Sequence, residues 1–290
     1  MAITLGSNIV SLQAQRRLGI ASDALSKTFE KLSSGQRINR ASDDAAGLAI
    51  ADSLKADQRV ATVAIRNAND GISSIAIADS ALSEVGNVLS RLAELAEQPS
   101  NGVFTAQQRS ALSNEFVALG SEIERIATVT KFNGVVLLSG TQQLTLQIGF
   151  NSASTAQISF AGVQGTLQAL GLAMAGSSSL SYSIVDGQSN PTSTNAQSAA
   201  RITLDAIQGA IGSLAQTRGT LGSVESRLNV AINTLAVSRE NFAAAESRIR
   251  DVDVASEAAT LTRLNILQRA GASVLAQANQ QPALALTLLG

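Results

Sequence analysis

The sequence predicts a mainly α protein: a long antiparallel coiled-coil or helical-bundle rod built from the N- and C-terminal segments, with a small β-hairpin region in the middle. Three observations predict it. Leu221, Leu228, Leu235, Phe242 and Ile249 recur every seven residues, which keeps one apolar seam along a helix. Ile75, Ala78, Leu82, Val85, Leu89, Leu92 and Ala96 advance by alternating steps of three and four residues, and Ala61, Ala64, Ala68 and Gly71 continue that seam upstream. Between the two segments, Leu144, Leu146, Ile148 and Phe150 alternate with polar residues or glycine, and Ile158 and Phe160 repeat the strand period.

The elements follow in order. Ile9 and Leu12, then Leu18, Leu25 and Leu32 with Phe29 between them, make a narrow helical stripe that stops at Ser33-Ser34-Gly35, where glycine takes the positive φ that closes a helix. The stretch LSSGQRINRASDDAAGLAIAD then breaks and restarts the helix. Ser42 is the expected N-cap, with Asp43 and Asp44 in the first turn, where free amides favour negative charge. The long helix that follows is expected to end at Pro99-Ser100-Asn101-Gly102. Thr105-x-x-Gln108 is a capping box for a shorter helix carrying Leu112, Phe116, Leu119, Ile123 and Ile126 on one face, which folds back as a helical hairpin. The helical period is lost at Lys131-Phe132-Asn133-Gly134, and Ser177 to Ser198 reads as an exposed loop. The seven-residue seam has Val224, Ala231, Ala245 and Val252 as companions, Ser238 as the exception, and a Glu246/Arg250 pair expected on its outer face. A last helix carries Leu264, Leu267, Val274 and Leu275 ahead of Pro282. Ala45 to Gln98 and Ala196 to about Arg250 would each span about 80 Å as helices, so they can lie side by side.

Composition excludes much chemistry. With no Cys and no His there is no thiol nucleophile, disulfide, imidazole base or Cys/His metal site. Asp43-Asp44 and Asp251-x-Asp253 read as charged helix ends, because neither has enough neighbouring ligands for a cation or a catalytic pair. An enzyme is therefore not expected, and neither is a cofactor. A net charge of -1 with scattered basic residues argues against a nucleic-acid partner. Arg16 and Arg17 are too few for a membrane-surface helix, and no apolar run approaches the roughly 20 residues needed to cross a bilayer. The opening MAITLGSNIVSLQAQRRLG is not a secretory signal, which makes the cytoplasm the default location.

Met1 to Leu32 and Ala255 to Gly290 carry apolar stripes with no globular domain of their own to cover them. The expected cover is other copies of the same chain, and self-contact that does not close into a ring builds an open helical filament.

LSSGQRINRASDDAAGLAIAD resembles the amino-terminal signature of bacterial flagellin. The likeness extends through NANDGIS, TKFNGVVLLSG, ENFAAAESRIRDVDVASEAATLT and ILQRAGASVLAQANQQP, covering residues 1–172 and 196–290. The resemblance implies a non-enzymatic subunit that polymerises into the flagellar filament for swimming. It implies an N-terminal inner-core helix and start of a spoke over residues 1–42, and outer-core segments over 43–172 and 199–254. It further implies a short variable loop over 173–198 in place of a large outer domain, and a C-terminal inner-core helix over 255–290. Arg37, Asn39, Arg40, Asp43 and Asp44 would serve the spoke and its subunit contacts.

The resemblance also replaces the cytoplasmic default with an extracellular one, reached through the flagellar export channel without a cleaved signal. Implied partners are an export chaperone, the filament cap and hook-junction proteins. LSRLAELAEQ matches in part the patch seen by the flagellin-sensing Toll-like receptor, with Arg91, Leu95 and Glu115 at matching positions and departures at Ala93 and Glu97. A hook–filament junction protein shares the terminal motifs and is the alternative; the carboxy-terminal QANQQP favours flagellin. Ser177 to Ser179 and Thr192 to Thr194 are candidate acceptors of O-linked sugars, against the plainer reading of a polar loop. A surface enzyme or lectin built on Gln142 to Phe160 is the third reading and needs a pocket with convergent polar groups.

Overall fold

A computed structural model describes residues 8–100, 104–139, 143–160, 162–185 and 196–289, with side chains described at none of 196 and 281–289. The chain forms two compact units, Arg59–Ser238 and a second made of Met1–Gln58 with Arg239–Gly290. The expected strongly helical class with a small β region is what the chain adopts.

The central unit is built on parts of two long helices, α2 (Ala45–Ser100) and α4 (Ala196–Arg250), with α3 (Ala106–Val129) folded back on α2. Asp79 of α2 pairs with Arg218 of α4, and Gly86 faces Leu214 further along, so the two helices run antiparallel. The seam leucines Leu82, Leu89 and Leu92 of α2 and Leu221, Leu228 and Leu235 of α4 are buried. Phe116, Ile123 and Ala127 of α3 close the same apolar cluster. The capping box forms as expected. The Gln108 amide donates to the Thr105 hydroxyl while the Thr105 amide donates to the Gln108 side chain. Helix α2 continues through Pro99 to Ser100, two residues beyond the expected last residue Gln98; Asn101 and Gly102 lie outside the described residues.

Two antiparallel strand pairs lie in this unit. β1 (Lys131–Phe132) and β2 (Val135–Val136) are joined by Asn133 and Gly134, both at positive φ, the conformation a two-residue turn requires. β3 (Leu144–Gln147) pairs with β4 (Gln157–Phe160) in the register Leu144 to Phe160 and Leu146 to Ile158, which turns Ile158 and Phe160 into the core. Leu146 also lies against α2 where Gly71 has no side chain; a methyl there would overlap its Cδ1.

The expected exposed loop over Ser177 to Ser198 needs correction in its first part. Ile184 is fully buried, Leu180 and Tyr182 pack on the core, and the Thr203 hydroxyl donates to the Ser183 carbonyl at 3.1 Å. Apolar residues at every second position in LSYSI dock the segment despite its serines. Residues 186–195, with Thr192 to Thr194, lie outside the described residues.

The terminal unit holds α1 (Ile9–Ser34), the start of α2, the end of α4 and α5 (Val254–Leu289). Asn8 caps α1 by accepting from the Ser11 amide. Asn8 and Ser11 bond to Ala278 and Asn279, and Leu18 meets Gly271, so α1 and α5 run antiparallel. Gly35 closes α1 at φ 71°. Asp253 caps α5 by accepting from the Ala255 and Ser256 amides.

Two local expectations fail here. Helix α2 begins at Ala45, two residues after the start implied by a Ser42 cap. Asp44 is the true cap, accepting from the Gly47 amide at 2.8 Å, while Asp43 turns back toward the preceding loop. Glu246 and Arg250 do pair, at 3.8 Å, but not on an outer face: Arg250 is only 17% exposed and also approaches Asp52 at 3.5 Å.

Candidate self-assembly surface

The terminal unit leaves large apolar side chains in solvent. Leu12 is 62% exposed, Ile20 63%, Phe29 64% and Ile266 62%, and Ile9, Leu267 and Val274 are each more than half exposed. Only Ala14, Thr28 and Ala278 are buried among the described side chains of α1 and α5. Two helices meet along a line and shield one strip of each; the remaining faces need further helices. Ala14, Ala21, Ala24 and Gly271, with Ile20 and Leu267, line an apolar groove of about 450 Å³ between α1 and α5. An apolar groove with small residues in its lining can receive a knob from a third helix.

The loop between α1 and α2 is held by its own polar residues. The Arg37 amide donates to the Arg250 carbonyl at 2.6 Å, and the Arg37 guanidinium reaches the Ile249 carbonyl at 2.6 and 3.3 Å. Arg37 thus covers the carbonyl end of α4, where backbone acceptors lack partners and the helix dipole favours a cation. The Val252 amide donates to the Gly35 carbonyl, and Gln36 and Asp251 form a short antiparallel bridge. The loop therefore clips the α4–α5 break directly.

Asn39 donates to the Ser34 hydroxyl, and Arg40 pairs with Glu30 of α1 at 2.8 Å. Asp43 accepts from the Arg40 and Asn39 amides at 3.0 and 3.2 Å. Those amide bonds, Arg40's first, hold the Asp43 carboxyl below its ordinary value; Lys31 and Lys27 add to them, and desolvation opposes. Ile38, which sequence reading passed over, is buried and packs where Gly47 has no side chain. A lone isoleucine among QRINR gives no periodic signal.

The remaining seam residues, Phe242 and Ile249, are half-buried in the terminal unit. In the central unit, Arg91 is anchored by Glu115 at 2.9 Å and Glu94 at 2.8 Å, with its side chain 46% exposed. Leu95 requires a correction: it is fully buried in the α2 core and presents no surface to a docking protein. Among the described residues no group of acidic side chains could hold a metal ion, and no helix is long and apolar enough to cross a membrane.

Residues 6–143 match the bacterial flagellin N-terminal helical region, and residues 204–289 match the bacterial flagellin C-terminal helical region. The chain is 43% identical to the flagellin of Halalkalibacterium halodurans over 286 residues, covering 98% of this chain and 99% of that one. The chain belongs to the bacterial flagellins. To Bacillus subtilis flagellin it is 41% identical, with 98% and 99% covered. A solved Vibrio parahaemolyticus structure, provisionally described as a flagellar hook-associated protein, matches at a TM-score of 0.55 and 16% identity over 72% of this flagellin and all of that chain. At that identity the likeness concerns fold alone.

Both family regions fall on the long helices. The N-terminal match spans α1, the clipped loop, α2 and α3, and the C-terminal match covers most of α4 and α5. Membership carries the coarse reading of a structural protein that self-assembles into an extracellular filament.

Proposed function

We propose that this flagellin polymerises through α1 and α5, whose exposed apolar side chains are covered by the same helices of neighbouring copies in the flagellar filament that serves swimming. The observation carrying the proposal is the exposure of Leu12, Ile20, Phe29 and Ile266 on the paired helices α1 and α5. Covering the exposed part of each such side chain favours association by roughly 1 kcal/mol, so a few of them repeated at every contact hold a long polymer together.

In this reading residues 1–42 and 255–290 form an inner layer, 43–172 and 199–254 an outer one, and 173–198 a short link between the outer segments. Arg37, Asn39, Arg40, Asp43 and Asp44 keep the connecting loop stiff, so torque passes between layers through hydrogen bonds and helix packing. A small axial slip between packed helices then switches filament twist, because packed interfaces have discrete arrangements. The work is mechanical and needs no catalytic group.

Export through the flagellar channel without a cleaved signal, an export chaperone, the filament cap and hook-junction partners complete the proposal. Recognition by the flagellin-sensing Toll-like receptor rests on the exposed Arg91 and Glu115, with Leu95 supporting them from within the core.

Elongation of short filament seeds by purified subunit tests the assembly reading. The double substitution Phe29→Ser and Leu267→Ser is expected to raise the critical concentration by at least about tenfold, as two lost apolar contacts imply, while the central unit still unfolds at the wild-type midpoint. Elongation at the wild-type critical concentration would overturn it.

A further inference from the structure

The side chains that oxidants attack are nearly absent from this chain: no Cys, no His, no Trp, one Tyr and two Met among 290 residues. Met174 is the one thioether among the described residues, and it is placed unlike a core methionine. Its side chain is 65% exposed, whereas Leu172, two residues earlier, is fully buried.

The backbone on either side is pinned. The Leu172 and Ala173 amides both donate to the Leu167 carbonyl, at 2.9 and 3.2 Å, and the Ser181 amide donates to the Leu172 carbonyl at 2.9 Å. The Ser177 amide donates to the Met174 carbonyl at 3.0 Å. Gly171 and Gly176, at φ 76° and 81°, make the sharp turns that carry the chain out of the core and back. The thioether therefore projects from a fixed support and fills no gap in the packing. Tyr182, the other oxidisable side chain described, is half-buried against the core.

We propose that Met174 is an oxidant-consuming site: it reacts with hydrogen peroxide as fast as an unprotected methionine and tolerates the product without loss of fold or assembly. In the reaction a lone pair on Sδ attacks one peroxide oxygen and the O–O bond breaks. That oxygen stays on sulfur as the sulfoxide. The other leaves as water, taking up the proton released from the transferred oxygen. Sulfur is oxidised by two electrons and the peroxide is reduced by two. A sulfoxide is polar and would damage a core; at Met174 its oxygen meets solvent. The terminal helices play no part, so the proposal stands apart from the assembly reading.

Graded hydrogen peroxide, with peptide mapping by mass spectrometry, tests it on the full chain folded in buffer and unfolded in urea. Oxidation of Met174 in the folded protein is expected to proceed within about fivefold of the unfolded rate, as full access implies. Subunits carrying the sulfoxide are expected to keep the unfolding midpoint and to elongate seeds at the rate of untreated protein. The Met174→Leu variant, treated identically, should gain no oxygen at that position and elongate equally well. Slower oxidation in the folded state than that margin overturns the proposal. So does a lowered midpoint or slowed elongation that appears with the sulfoxide and is absent from treated Met174→Leu.

Discussion

Arg37 shows how one side chain ties two distant parts of the sequence together. Its guanidinium and its amide both serve the carbonyl end of α4, about which a string such as GQRINR says nothing. Arg37→Ala is expected to destabilise the terminal unit by about 1 kcal/mol, the ordinary loss for a capping hydrogen bond from a charged donor that is exposed. Proteolysis of the first and last segments, compared with wild type, reads that loss. Asp43 adds a pH dependence. Its folded carboxyl lies below the ordinary 3.8, so the unfolded chain binds the proton more readily. The stabilisation is complete above that ordinary value and is lost as pH falls through it to the folded value. Asp79, lowered by the Arg218 hydrogen bond, acts in the same direction. Thermal melts between neutral pH and about pH 3 should therefore fall at the acid end, and Asp43→Asn should fall less. The sequence locates the helix break but does not single out its cap. Ser42, Asp43 and Asp44 are all competent acceptors, and only the backbone path decides which one meets the Gly47 amide.

Helices were the most legible elements, because their apolar spacing has the period of the structure it specifies. The seam from Ile75 to Ala96 is buried at the positions that spacing picks out, and Gly35 ends α1 as expected. Leu89→Ala in that fully buried seam should cost about 2–5 kcal/mol, read as a lower denaturation midpoint of the central unit. Gly35→Ala acts differently. A methyl at Gly35 meets nothing within 4 Å, so the cost is the left-handed backbone alone, about 1–2 kcal/mol in the terminal unit. Short elements were less legible. β1 and β2 are two residues each, too short to show a period, although Asn133-Gly134 is a hairpin signal in its own right. Leu180, Tyr182 and Ile184 were masked by the serines around them, and composition alone suggested solvent.

For the molecule as a whole, the two units differ in how their apolar surface is covered. The central unit encloses a continuous apolar cluster drawn from three helices and a hairpin. The terminal unit pairs α1 with α5 along one strip and leaves aliphatic and aromatic side chains of both in water. The imbalance is legible in the sequence, because apolar stripes at both ends have no domain to bury them; which residues stay exposed depends on how α1 and α5 are rotated against each other. An association driven by such surface strengthens in salts excluded from apolar groups. Sodium sulfate should therefore lower the critical concentration for elongation more than sodium chloride of equal ionic strength, as followed by light scattering. A cryo-electron reconstruction of filaments grown from the purified chain examines the contacts themselves. Leu12, Ile20, Phe29 and Ile266 are expected to lie against neighbouring subunits, dry on every side. Finding those four side chains facing solvent in the assembled filament would contradict the account.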